Sequence, residues 1–176
     1  MRRVLAAVAI VSLLSACATQ RQAKSNYEVI PDDEGKILRG PISRAILQND
    51  TTYKWLAENM KYGTADASAV EAFRNNANNF SMVVFGGTWC EDTRNLLPVF
   101  YRLVEKSGYP DNKITLIGVD REKTAPQDLH KKYNVTLVPT FIVMRDGKEI
   151  GRVVEYGKEG AIDKELGQIV ATGTAK

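Results

Sequence analysis

Cys90 is the side chain best placed for covalent chemistry. Ahead of it runs Ser81-Met82-Val83-Val84-Phe85, nearly continuous in apolar residues, then Gly86-Gly87. Behind it Leu96, Leu97, Phe100, Leu103 and Val104 recur at helical spacing as far as Gly108. This pattern predicts a strand buried on both faces, a glycine turn and an amphipathic helix that opens at the cysteine. A sulfur there faces backbone N–H groups without intrahelical partners and the positive end of the helix dipole. Both favour the thiolate, which is the nucleophile of disulfide exchange. Thr93, one turn on, is spaced to donate its hydroxyl hydrogen to that sulfur. Glu91 and Asp92 suit a helix start but oppose the thiolate by like charge, and Arg94 offsets them in part.

Composition closes off other chemistries. One histidine and two cysteines do not supply a multi-ligand Cys/His zinc site, and they make a Ser-His-Asp hydrolase a poor fit. A lone thiol with one remote histidine is a weak copper site. Twenty-four Lys+Arg against 21 Asp+Glu leave +3, spread without a basic block, so no nucleic-acid partner is expected. No cofactor and no metal are expected either. His130, followed by Lys131 and Lys132, reads as the solvated surface of a short polar helix. A chain of 176 residues, 44% hydrophobic and 26% charged, without internal repeats, predicts one globular domain with extensions.

Met1-Arg2-Arg3 precedes an apolar run over residues 4–14, interrupted only by Ser12, and then small residues. This reads as a secretory signal, because a helix of that run rises only about 16 Å, roughly half of a hydrocarbon core. Leu14-Ser15-Ala16-Cys17 resembles the lipobox of bacterial lipoproteins, which implies cleavage before Cys17 and lipidation of Cys17. Several acyl chains hold a protein on a bilayer where one does so only marginally. Residues 1–16 are therefore read as a lipoprotein signal peptide and 17–26 as the lipidated cysteine and a tether. The membrane becomes a partner through the N-terminal lipid, with the domain facing the periplasm of a bacterial cell envelope, at the inner or the outer membrane. An ordinary secretory signal cleaved nearby is the alternative. Loss of Arg2 and Arg3 leaves a formal charge of +1. With Cys17 acylated, Cys90 is the one remaining thiol in a compartment where paired cysteines become disulfides.

The elements that must position Cys90 follow from periodicity. Residues 27–65 read as an N-terminal helical extension. Ile42, Ala45 and Ile46, then Tyr53, Trp55, Leu56 and Met60, fit two short amphipathic helices, with Pro41 in a first turn and Asn49-Asp50-Thr51-Thr52 as break and new cap. Tyr53 and Trp55 are core contacts on this reading, and a partner site is the alternative. Val70 and Phe73 mark a helix over residues 66–77. Residues 114–119 form a second buried strand, completing a βαβ unit whose strands run parallel. A short helix over residues 126–133, a strand over 140–144, a turn at Asp146-Gly147, a strand over 149–154 and a closing helix over 158–170 follow. The predicted fold class is α/β, a mixed central sheet with helices on both faces.

Trp89-Cys90 after a buried strand, Pro98 eight residues on, Val138-Pro139-Thr140, Asp146-Gly147 and Gly157 occur in the order of the thioredoxin superfamily, which residues 66–171 resemble. The resemblance implies a thioredoxin-like fold and a cis bond at Val138-Pro139. It also implies a groove in which Trp89, Val138, Pro139 and Gly157 meet an extended partner beside Cys90. Dithiol members carry Cys-x-x-Cys, whereas this chain reads Cys90-Glu91-Asp92-Thr93, and Val84 stands where they have a buried carboxylate. Cys90 with Thr93 is then the catalytic pair of a monothiol exchange with a protein or small-molecule thiol or disulfide client. The mixed disulfide would be resolved by an external thiol. The alternative is a non-catalytic binding module that uses the same groove. A thiol peroxidase fits less well, since peroxiredoxins order the pair as Thr-x-x-Cys.

Overall fold

The structure is a computed structural model and describes residues 26–173. Cys17, the signal read over residues 1–16 and nearly all of the tether lie outside the described residues. In chain order the elements are β1 (Glu28–Asp32), β2 (Gly35–Ile42), α1 (Arg44–Asn49), α2 (Trp55–Asn59), α3 (Ala67–Asn76), β3 (Ser81–Gly86) and α4 (Glu91–Ser107). They continue with β4 (Ile114–Gly118), α5 (Leu129–Lys132), β5 (Thr140–Arg145), β6 (Lys148–Val154) and α6 (Ile162–Thr172). The strands make one six-stranded sheet in the order β1-β2-β4-β3-β5-β6. β3 and β4 are parallel, joined by α4, and every other neighbouring pair is antiparallel.

β3 is buried on both faces, as its apolar run predicts. Successive strand side chains point to opposite sides, so Met82 and Val84 enter one core with Phe73, Phe100, Phe141 and Leu166. Val83 and Phe85 enter the other with Ile117, Val119, Val138 and Ile142, closed by Leu129 of α5. The first core carries α3, α4 and α6. The mixed sheet with helices on both faces is therefore the architecture found. Gly108 ends α4 in the left-handed region at φ 70°, and Asp146 and Gly147, at φ 50° and 75°, turn β5 into β6.

Residues 27–65 correct the helical reading of the N-terminal extension. α1 and α2 are present, but they are preceded by a β-hairpin that lengthens the sheet. Asp32 pairs with Gly35 across a two-residue turn, and Pro41 lies in β2, opposite Ile117 of β4, instead of opening a helix. The reason is tertiary. Gly118 of β4 has no Cβ, and one built there would come within 2.0 Å of the Leu38 carbonyl oxygen, so only glycine lets β2 approach this closely. Ile37 and Leu38 of β2 are buried, and Gly40, at φ 116°, takes a backbone conformation that favours glycine. α1 starts at Ser43, whose hydroxyl accepts the Ile46 N–H, and Asp50 caps the short 3₁₀ turn that follows. Tyr53 is 2% exposed and Trp55 packs on the larger core, so this aromatic pair is core.

Candidate functional site

β3 delivers the chain to a tight turn over residues 87–90. The Cys90 N–H donates to the Gly87 carbonyl at 2.9 Å, and the Cys90 carbonyl accepts from Arg94 N at 3.1 Å. Cys90 is thus the N-cap of α4, with extended backbone and no capping bond from its side chain. The sulfur is free to be aimed elsewhere. It is half-buried and lies 3.4 Å from the Val138 carbonyl oxygen, which accepts its S–H. The Val138-Pro139 bond is cis. The loop is braced by the Thr140 hydroxyl, which donates to Leu137 O at 2.7 Å, and by Glu155 N–H, which donates to Pro139 O at 2.7 Å.

Trp89, Cys90 and Val138 share the smaller core. The Trp89 indole N–H donates to Val119 O at 3.1 Å, and its ring lies directly against Gly87, where a Cβ would come within 2.7 Å of it. Cys90, Trp89, Val138 and Pro139 are brought together as the resemblance implies. Gly157 is given a different neighbour. At φ 72° it sits against Glu165 of α6, whose Oε1 would be 2.3 Å from a Cβ there. That carboxylate also accepts from Lys158 N and Glu159 N at 2.8 Å each. Gly157 therefore makes room for the anchor of the last helix.

Thr93 corrects the sequence expectation. It is 2% exposed, and its hydroxyl oxygen accepts the Gly87 N–H at 3.2 Å; no Thr93 hydrogen bond to the sulfur occurs among the described residues. The β3 ladder to β4 ends at Gly86, so the next amide has no strand partner, and a buried donor must be satisfied. Arg94 makes its hydrogen bonds away from Glu91 and Asp92. Its Nε donates to Thr88 O at 3.0 Å and its terminal nitrogen to Glu34 at 2.7 Å. His130 is not simply solvated: it is half-buried, and its Nδ1 accepts the Ala125 N–H at 3.1 Å.

Behind the turn, the Thr88 hydroxyl accepts from Leu38 N at 3.3 Å. The Tyr53 hydroxyl donates to Lys36 O at 2.9 Å, and burial pushes the Tyr53 phenol up to about 12. On the segment that follows β4, Asp120 is tied to Arg39 at 2.8 Å and accepts from Thr124 N at 2.6 Å. Burial alone would raise the Asp120 carboxyl, but the Thr124 hydrogen bonds and the Arg39 charge outweigh it and hold it below the usual carboxylate value.

The thioredoxin family model matches residues 64–168, which include Trp89, Cys90, Thr93 and the Val138-Pro139 loop. The chain belongs to the thioredoxin family. A thioredoxin H-type of Oryza sativa subsp. indica is 31% identical over 97 residues, covering 53% of this chain and 75% of that one. The TPR repeat-containing thioredoxin TDX of Arabidopsis thaliana is 27% identical over 107 residues, covering 61% of this chain. That protein is much longer, and the chain spans 26% of it. Among solved structures, an HIV epitope scaffold superposes with a TM-score of 0.52 at 17% identity, over 74% of this chain and 91% of that one, which is a likeness of fold.

Within this thioredoxin domain the chemical inventory is short. A half-buried thiol stands at a helix start, a buried threonine occupies the next turn, and Cys90 is the only cysteine among the described residues. Sequence reasoning missed Thr88 within the turn, Arg121 against the Trp89 ring, and the hairpin tip, which holds Arg94 and Arg121. The run Asp32-Asp33-Glu34-Gly35 was a turn signal, but nothing local says what the turn packs against.

Proposed function

We propose that this protein is a membrane-anchored monothiol exchange protein of the bacterial cell envelope, acting through Cys90 on a protein or small-molecule client. The Cys90 thiolate attacks one sulfur of a client disulfide. A new S–S bond forms, the client bond breaks, and the departing thiolate takes up a proton. An external thiolate then attacks the client sulfur of the mixed disulfide; a disulfide between that thiol and the client forms, the bond to Cys90 breaks, and the departing Cys90 thiolate takes up a proton. The reading is carried by one observation: the sulfur is half-exposed at the start of α4, 3.4 Å from Val138 O, with the buried Thr93 in place of a second thiol. Lipid anchoring at Cys17 and a periplasmic domain are supported by the signal and lipobox pattern of residues 1–17.

The domain without residues 1–17, in which Cys90 is the one cysteine, should gain one mercaptoethanol adduct at Cys90 when incubated with excess 2-hydroxyethyl disulfide. Cys90→Ser should gain none, and added glutathione should remove the adduct. A wild-type rate no faster than that of an unfolded cysteine peptide would overturn the reading. For the anchor, globomycin treatment of expressing cells should leave the signal uncleaved, and Cys17→Ala should release the protein from membranes.

The second reading, a binding module, has its own support. Leu137 and Tyr156 are 40% and 44% exposed, one next to Val138 and the other next to Glu155, which bonds Pro139 O. They offer apolar area to an extended partner whether or not the thiol reacts.

A further inference from the structure

The turn over residues 87–90 is gripped by two guanidinium groups, and both are held by carboxylates of the N-terminal hairpin. Arg94 bridges Thr88 O at 3.0 Å and Glu34 at 2.7 Å. Arg121, on the segment that leaves β4, places its guanidinium 5.4 Å from the centre of the Trp89 ring. It forks onto Asp32, with Nε to Oδ1 at 2.7 Å and a terminal nitrogen to Oδ2 at 3.0 Å. The ring is thus bounded by Gly87, by Val119 O on its N–H and by Arg121. Asp32 ends β1 and Glu34 lies in the hairpin turn, more than fifty residues before the groups they hold.

We propose that the hairpin tip is a positioning element for the reactive sulfur. Asp32 and Glu34 act through Arg121 and Arg94, which are positioning residues for the exchange at Cys90. The inference rests on the thiol-exchange reading above. Exposed ion pairs add little to stability, but a forked guanidinium–carboxylate contact fixes orientation. A cation over an aromatic face likewise restricts the ring. With both arginines anchored, Thr88 O and the Trp89 ring are held from outside the turn, and the direction of the Cys90 sulfur toward Val138 O follows. The Arg121 hydrogen bonds hold the Asp32 carboxyl below the usual carboxylate value, so it stays ionised. Holding reacting atoms in one geometry is a recognised source of rate.

The test is made in a Trp55→Phe background, where Trp89 is the one tryptophan. The parent is compared with Asp32→Asn/Glu34→Gln in three measurements: the rate of adduct formation with the uncharged 2-hydroxyethyl disulfide, the fluorescence anisotropy of Trp89, and the urea midpoint. The rate is expected to fall at least fivefold and the anisotropy to drop, with the midpoint nearly unchanged. A rate within twofold of the parent at unchanged anisotropy overturns the proposal. Should the double variant unfold, Asp32→Asn alone, which frees only Arg121, is judged by the same two readouts. If the parent forms no adduct, the exchange reading fails, and the Trp89 anisotropy still decides whether the hairpin positions the turn.

Discussion

The Gly87 amide donates to the Thr93 hydroxyl oxygen at 3.2 Å, so the residue in place of a second thiol holds the turn that carries the first. Thr93→Val keeps the shape and removes the acceptor, leaving a buried N–H unsatisfied. The expected cost is about 1–3 kcal/mol of unfolding free energy in urea. Unchanged stability would mean that this amide does not depend on the hydroxyl.

Thr93→Cys should create an internal redox pair. Side chains three apart at a helix start have Cβ atoms about 5–6 Å apart, and a modest adjustment brings them within disulfide reach. Oxidation should then lower the mass by two hydrogens, with a linked peptide containing Cys90 and the new cysteine. The mercaptoethanol adduct should become transient, because the second thiol expels it. A stable adduct on Cys90 in this variant would show that position 93 points away from the sulfur.

Gly118→Ala tests the docking of the hairpin. The added Cβ would meet the Leu38 carbonyl oxygen at 2.0 Å, and a backbone atom in a paired strand has little freedom to yield. The expected loss is about 3 kcal/mol, the upper end of the usual overpacking cost, read as a lower urea midpoint. Hydrogen exchange should quicken in β1 and β2 before it does in β3.

Acid should release the contact between Asp120 and Arg39. The folded Asp120 carboxyl lies below its ordinary value. The stability it contributes is therefore complete above the unfolded value of about 3.9 and is lost as pH falls through the folded value. With both side chains largely shielded, at 20% and 16% exposed, the contribution is about 1 kcal/mol after screening. Asp120→Asn should be less stable than wild type near neutrality, and the gap should close at an acid pH below the folded Asp120 value. An equal gap at both pH values would contradict the ionised pair.

Much of the thioredoxin domain was legible because its signals are local. The apolar run at Val83, Val84 and Phe85 requires a strand covered on both faces, and the spacing from Leu96 to Val104 requires the helix behind Cys90. Asp146 with Gly147 tolerates the left-handed backbone of a hairpin turn. Burial of apolar side chains drives the strand and helix assignments, and periodicity records it directly. Val138-Pro139 and Cys90, nearly fifty residues apart, were placed together by the resemblance of their order, and the sheet register bears that out.

What the tertiary structure alone decided is where polar groups find their partners. Thr93 turned from the sulfur to an amide left over at a strand end, Arg94 turned from its neighbouring acids to Glu34, and Gly157 made room for Glu165. The first hairpin exists as a strand pair because Gly118 lets Leu38 come close. Apolar burial is nearly directionless and can be read from the spacing of residues along one segment. A hydrogen bond or forked ion pair needs a particular atom at a particular distance, supplied here by chain tens of residues away, and only the folded arrangement brings it there.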